Sequence, residues 1–459
     1  MSALIEASSA ARRGIAIETI DAAQWPKLQR RLDASQRRWL KDTGFDASPG
    51  TVALLADGDG KLVRVLVGVD PREPLAALAA LPCTLPPATY HLASEGVLAD
   101  RRTAALGWAL GAYQFTRYRQ AKRTPAQLVV DAAELAALQP LIDATARVRD
   151  LVNTPAEDMG PAQLAEAIKA LARPHKAKLR EWVGDDLLAA NFPTIHAVGR
   201  ASHRAPRLIE LSWGKATDPK LVLVGKGVCF DTGGLDLKPS EGMRNMKKDM
   251  GGAAHAIALA GLVMQAKLPV RLTLLIPAVE NAVAGNAMRP GEVITTRAGH
   301  TVEVDNTDAE GRLILCDAIA YGTEQQPDLL LDFATLTGAA RVALGPDLPV
   351  LFANQDAAAE QLLAAGRTVA DPLWRLPLWR PYRKMLESSV ADFANAGPSR
   401  HAGAITAALY LERFVPDELA WLHLDTYAWN DADRPGRPRG GEAMGLRAMF
   451  ALLQSRYAR

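Results

Sequence analysis

Cysteine is scarce in this chain. Its 459 residues hold three, Cys83, Cys229 and Cys316, odd in number, far apart and without a C-x-x-C pair. That excludes a disulfide framework and a thiolate zinc site, and it suits a reducing compartment. An excess of one charge is also missing: 53 basic residues against 51 acidic leave +2. Such a balance creates no global field for nucleic acid or acidic membranes. No apolar run reaches the ~18 residues that a membrane helix needs. The start, Met-Ser-Ala-Leu-Ile-Glu-Ala, carries an early acid, and Arg12-Arg13 interrupts the residues after it, unlike a secretory signal. The expectation is a soluble cytoplasmic protein with no membrane partner and no nucleic-acid partner. The eight histidines form no H-E-x-x-H, which excludes a single-zinc protease of that type.

What is present is ordinary globular composition, 49% hydrophobic and 23% charged, over a length that suggests two domains. Residues 51–69 read as a β-hairpin around the turn Asp57-Gly58-Asp59-Gly60. A helical pattern at 104–118 comes next, then the short strand Gln127–Val130 and a long helix over 132–152 that ends before Asn153-Thr154-Pro155. From about 178 onward, buried-strand runs (207–211, 221–224, 270–276, 328–332, 421–424) alternate with helical patterns at 251–266, 311–323, 356–367, 402–414 and 443–456. The fold class expected is α/β. A small N-terminal α/β domain (1–150), with an oligomerisation or regulatory role, precedes a linker helix region (151–177). A larger α/β domain (178–459) comes after it, its central sheet mostly parallel, mixed, and flanked by helices. In such sheets chemistry gathers beyond the carboxyl ends of the strands.

Three segments carry that chemistry. In Val224-Gly-Lys226-Gly-Val-Cys-Phe-Asp231-Thr-Gly-Gly-Leu-Asp236-Leu-Lys238-Pro, a buried strand runs into closely spaced glycines. These permit tight bending and close approach. Both a plain strand-to-loop corner and a ligand loop fit this pattern, while no phosphate-binding glycine motif is present. Met246-Lys247-Lys248-Asp249 leads into an Ala-rich helix, where Asp249 taken alone reads as a capping or solvated acid rather than a ligand, and Lys247 and Lys248 as an exposed face. In Asp305-Asn306-Thr307-Asp308-Ala309-Glu310-Gly311-Arg312, two carboxylates lie two residues apart in a loop, facing the same way when extended. Such a pair repels unless a cation or a shared proton lies between. Arg312 sits next, in the first helical turn, which already favours an anion. Asp231, Asp249, Asp308 and Glu310 together could neutralise two hard divalent cations. An acidic turn with a capping residue remains open on spacing alone.

The octapeptide Asn306-Thr-Asp-Ala-Glu-Gly-Arg-Leu313 resembles the signature of the leucyl (cytosol) aminopeptidase family, dimetal metallo-aminopeptidases. The blocks around Lys226–Pro239 and Met246–Ala254 resemble its other metal-site blocks, in order and spacing. Asp332-Phe-Ala-Thr335-Leu336-Thr337-Gly338-Ala resembles its substrate loop. Arg149–Pro155, Gly403–Ala408 and, loosely, Gly107–Tyr113 are similar as well. The resemblance implies that Lys226, Asp231, Asp249 and Glu310 hold a tighter metal ion, and that Asp231, Asp308 and Glu310 hold a more exchangeable one. Manganese, zinc or magnesium suits these donors. For Lys226 to donate, its pKa must be depressed by burial and an adjacent dication. The family's mechanism uses a metal-bridged hydroxide on peptides with a free α-amine. There Lys238 stabilises the oxyanion and Arg312 holds a bicarbonate that serves as base. Met246, Asn306, Thr335, Leu336 and Gly338 would contact substrate, and the assembly implied is a homohexamer, a dimer of trimers.

One block departs. Where the family reads His-x-Asp-Ile-Ala-Gly, this chain has His423-Leu-Asp425-Thr-Tyr427-Ala-Trp429-Asn430. Tyr427 and Asn430 therefore imply a narrower or more polar specificity pocket, and leucine preference does not carry over. Two rival roles are a DNA-binding regulator and a dedicated dipeptidase on substrates such as Cys-Gly.

Overall fold

A computed structural model describes residues 3–7 and 14–458. The reading of Arg12-Arg13 against a signal segment lies outside the described residues. The chain divides into two compact units, 1–146 with 431–439, and 147–430 with 440–459.

In the first unit a six-stranded sheet runs in the order Leu4–Glu6, Gln127–Val130, Thr89–Leu92, Ile15–Ile20, Leu62–Gly68, Val52–Ala56. Only its last pairing is antiparallel, the hairpin expected at 51–69. Asp57 holds that turn by accepting the amides of Asp59 (3.1 Å) and Lys61 (2.9 Å) through Oδ1. The helix expected at 104–118 instead spans Arg101–Gly111. Asp100 starts it early by capping the Thr103 amide at 2.9 Å. Gln114 then draws the next segment into a loop, donating to Arg123 O (2.9 Å) and accepting from the Lys122 amide (3.0 Å).

The second unit is built on a nine-stranded sheet. Its order is Trp374–Arg375, Val350–Ala353, Trp421–Asp425, Leu329–Ala334, Lys220–Gly225, Arg271–Asn281, Arg207–Trp213, Lys178–Val183, with Gly227–Asp231 also paired to Arg271–Asn281. Five of its eight pairings are parallel. The central strands Leu329–Ala334 and Trp421–Asp425 are buried along their whole length, as a sheet covered on both faces requires. Their continuous apolar sequence reflects that double burial. The segment read as a linker contains the helix Pro161–His175, which belongs to this unit and buries Leu164, Ile168 and Leu171. The helix Gly251–Gln265 packs against Lys220–Gly225 and Leu329–Ala334; Glu310–Thr323 packs against Arg271–Asn281. Lys226, Asp231, Thr335 and Asp425 all lie at or just beyond the carboxyl ends of parallel strands, the position anticipated for chemistry. No helix among the described residues is long and apolar enough to cross a membrane.

Candidate functional site

Lys226 lies just past the strand Lys220–Gly225 and is only 3% exposed. Its amine lies 2.6 Å from Asp249 Oδ2 and 3.0 Å from Glu310 Oε1, and donates to Thr335 O at 3.1 Å. Gly311 makes room for it, since a Cβ there would sit 2.5 Å from Lys226 Cε. Asp231 ends the neighbouring strand. Its Oδ1 accepts from the Gly233 amide and from Asn281 Nδ2, both at 2.9 Å. Its Oδ2 faces the Lys238 amine at 2.9 Å, which also reaches Asp308 Oδ1 at 2.5 Å. Thr335 Oγ1 donates to Asp249 Oδ1 at 2.8 Å. Gly233, at φ 89°, adopts a backbone conformation that favours glycine and brings its amide onto Asp231.

Asp231, Asp308 and Glu310 each offer an oxygen, all within 4.8 Å of one another. Three buried carboxylate oxygens here, Asp249 Oδ2, Asp308 Oδ1 and Glu310 Oε1, face lysine ammonium groups at 2.6, 2.5 and 3.0 Å. Two lysines face four acids, Asp231, Asp249, Asp308 and Glu310, and such a set of hard oxygens with one amine fits a divalent cation.

The charge balance reflects this crowding. Burial and then repulsion from Asp231 push the Asp308 carboxyl up to about 6, against the pull of Lys238. Burial and the same neighbour raise Glu310 well above the carboxylate range. Burial opposes charge on Lys226, yet Asp249, Glu310 and Asp231 hold its ammonium above the ordinary range. The groups surrounding the amine are acids, whereas the depression expected for it belongs to an amine beside a dication. Lys238 is likewise held charged, with Asp231 and Asp308 outweighing its burial.

These groups open on a cavity of about 520 Å³. Of the residues singled out from sequence, Lys226, Asp231, Lys238, Met246, Asp249, Asn306, Asp308, Arg312, Thr335, Leu336, Gly338 and Tyr427 line it. Glu310 lies beneath, 1% exposed. Arg312 donates through Nη1 to Asn395 O at 2.6 Å, while its buried Nε–H has no partner among the described residues. Asn430 does not join them. The chain turns at Ala428 (φ 53°), and Asn430 is fully buried, donating to Glu442 Oε2 at 2.7 Å.

Sequence reasoning misplaced or passed over several groups. Lys248 is not on an exposed face: it is buried, lines the cavity, and lies 5.0 Å from the Tyr427 ring centre. Burial pushes its pKa down to about 8, aided by Lys226 and Arg341 and opposed by Asp249 and Asp425. Lys247 is half-buried and donates to Asn153 O at 2.5 Å. A 3₁₀ turn over Met246–Met250 sets these directions, and nothing local in the sequence announces it. Asn281 was also missed, because only the strand register Asp231↔Asn281 brings it to the site. Asp236 was passed over too, and it accepts the Thr307 amide at 2.7 Å.

"Cytosol aminopeptidase family, catalytic domain" matches residues 146–450, and "M17 aminopeptidase, N-terminal domain" matches 15–131. A probable cytosol aminopeptidase of Roseiflexus castenholzii is 39% identical over 367 residues, covering 76% of this chain and 75% of the relative. One of Stenotrophomonas maltophilia is 42% identical over 380 residues, covering 79% and 76%. Among solved structures, the cytosol aminopeptidase of Coxiella burnetii superposes with TM-score 0.95 at 47% identity over 99% of both chains. The bottromycin maturation enzyme BotP in complex with Mn gives TM-score 0.86 at 34% identity, covering 97% of this chain and 99% of that one. The chain therefore belongs to the cytosol aminopeptidase family and is a peptide-bond hydrolase.

Proposed function

We propose that this enzyme is a dimetal aminopeptidase that removes the N-terminal residue of peptides with a free α-amine, in cytoplasmic peptide turnover. The observation carrying this reading is the convergence of Asp231, Asp308 and Glu310, whose oxygens lie within 4.8 Å of one another. Lys226, Asp231, Asp249 and Glu310 would hold one divalent cation, and Asp231, Asp308 and Glu310 the second, as manganese or zinc. Such ions supply Lewis acidity toward a carbonyl and lower the pKa of a water. A relative solved in complex with Mn supports the choice of metal class.

The protein's own groups have separable tasks. Lys238, kept protonated between Asp231 and Asp308, presents a cation to the negative charge that develops on the scissile oxygen. Arg312, with its buried free Nε–H, binds an anion such as bicarbonate that can take a proton. Met246, Asn306, Thr335, Leu336 and Gly338 orient the substrate from the cavity wall. The assembly is a homohexamer, which sedimentation would measure.

Chelator-treated protein is expected to lose activity on alanyl and leucyl p-nitroanilides and to regain it with Mn²⁺ or Zn²⁺. N-acetylated substrates should stay intact in every case. Full turnover by metal-free protein overturns the reading.

A further inference from the structure

Lys248 and Arg341 both lie on the ring of Tyr427, with Lys248 Nζ 5.0 Å and Arg341 Cζ 4.5 Å from its centre. All three line the cavity that holds the metal-site acids. Lys248 is buried at 7% exposure, while Arg341 is exposed, so the two cations occupy different depths of one wall.

Two like charges sharing one ring repel, and burying one of them is costly unless an anion compensates. Neither forms an ion pair among the described residues. The other cavity lysines differ, since Lys226 and Lys238 each face two carboxylates within 3.0 Å. Asp425 is the remaining acid on this wall, and its oxygens are engaged elsewhere. Oδ1 accepts the amides of Leu336 (2.8 Å) and Thr337 (3.2 Å), and Oδ2 accepts the Thr337 hydroxyl (2.6 Å). The wall thus presents two cations on an aromatic plate, with no protein carboxylate committed to them.

We propose that the Lys248–Tyr427–Arg341 wall selects substrates whose N-terminal residue is acidic, aspartate or glutamate. The proposal rests on the aminopeptidase reading above. The side-chain carboxylate meets the two cations while its methylenes pack on the Tyr427 ring, and the α-amine is left for the metal acids. A leucine side chain would leave both cations without an anion.

The test compares Glu- and Gln-p-nitroanilide, an isosteric pair without a peptide C-terminus, together with Leu-p-nitroanilide, on the Mn²⁺-loaded enzyme. The expected kcat/KM for Glu exceeds that for Gln by about tenfold or more, the size of one charge-assisted hydrogen bond. That ratio should fall toward one in Arg341→Gln and in Lys248→Met. Arg341→Gln alters an exposed side chain, so it keeps the test valid if Lys248→Met fails to fold. A Glu-to-Gln ratio at or below one, or a ratio unmoved in Arg341→Gln, overturns the proposal while measurable turnover leaves the aminopeptidase reading standing. A preference that appears only in dipeptides, and vanishes when their C-terminus is amidated, assigns the cations to the C-terminal carboxylate and also overturns it. No turnover of any of the three overturns the aminopeptidase reading, and the proposal falls with it.

Discussion

Asp236 and Thr307 grip each other across two loops. Asp236 Oδ2 accepts the Thr307 amide at 2.7 Å, and the Asp236 amide donates to Thr307 Oγ1 at 2.8 Å. The same hydroxyl donates to Gly233 O at 2.6 Å. The clasp therefore ties the loop carrying Asp231 to the loop carrying Asp308.

Replacing Thr307 with valine keeps its shape and removes the hydroxyl. Mn²⁺ affinity, measured by competition with a fluorescent chelator, should weaken by about 10- to 100-fold, as for groups that orient metal ligands. The stability cost should be about 1–3 kcal/mol, from the stranded Asp236 amide and Gly233 carbonyl. Unchanged affinity would show that the clasp does not position the acids.

Lys238→Ala removes the cation held between Asp231 and Asp308. Steady-state kinetics should show kcat reduced by about 10²–10³-fold, the range for loss of one oxyanion donor, with a smaller change in KM. An unaltered kcat would remove Lys238 from the reaction.

Arg149 and Glu442 form a buried ion pair at 3.1 Å, with side chains 1% and 4% exposed. Glu442 also accepts from Asn430 Nδ2 and from the Ala443 amide. Glu442→Ala leaves the guanidinium buried without its acid, so urea unfolding should register a loss of about 3–5 kcal/mol. The double replacement Arg149→Met/Glu442→Leu should recover much of it. A single variant as stable as the parent would contradict this account.

Asp317 supplies a pH dependence. Burial raises its carboxyl to about 6, against the Arg297 and Thr194 amides that favour the anion. Because the folded pKa lies above the unfolded one, the folded protein binds the extra proton between about pH 4 and 6. Stability from this group therefore falls as pH rises through that window and is level above it. Asp317→Asn does not titrate there, so it should gain on the parent protein by about 3 kcal/mol between pH 4 and 7. A constant difference in thermal unfolding across that range would refute the shift.

The alternation of buried strands with helices was legible because strands such as Leu329–Ala334 are covered on both faces and must be apolar throughout. The end of the helix Arg101–Gly111 was not legible, because Gln114 stops its continuation through contacts with Lys122 and Arg123. At the site, Lys226, Asp231, Asp249, Asp308 and Glu310 stood out because short segments carry them in a recognisable pattern. Asn281 did not, because a single asparagine at a strand end carries no local signal.

The sequence by itself determined the family and the α/β class, since these depend on residue types at short spacings, and it singled out the acids that the structure brings together. Tertiary structure alone decided which side chains face the cavity. A turn at Ala428 sends Asn430 to Glu442, and a 3₁₀ turn buries Lys248 against Tyr427. The physical reason is that direction in a loop depends on φ, ψ and on distant packing partners, and neither is written in the local pattern.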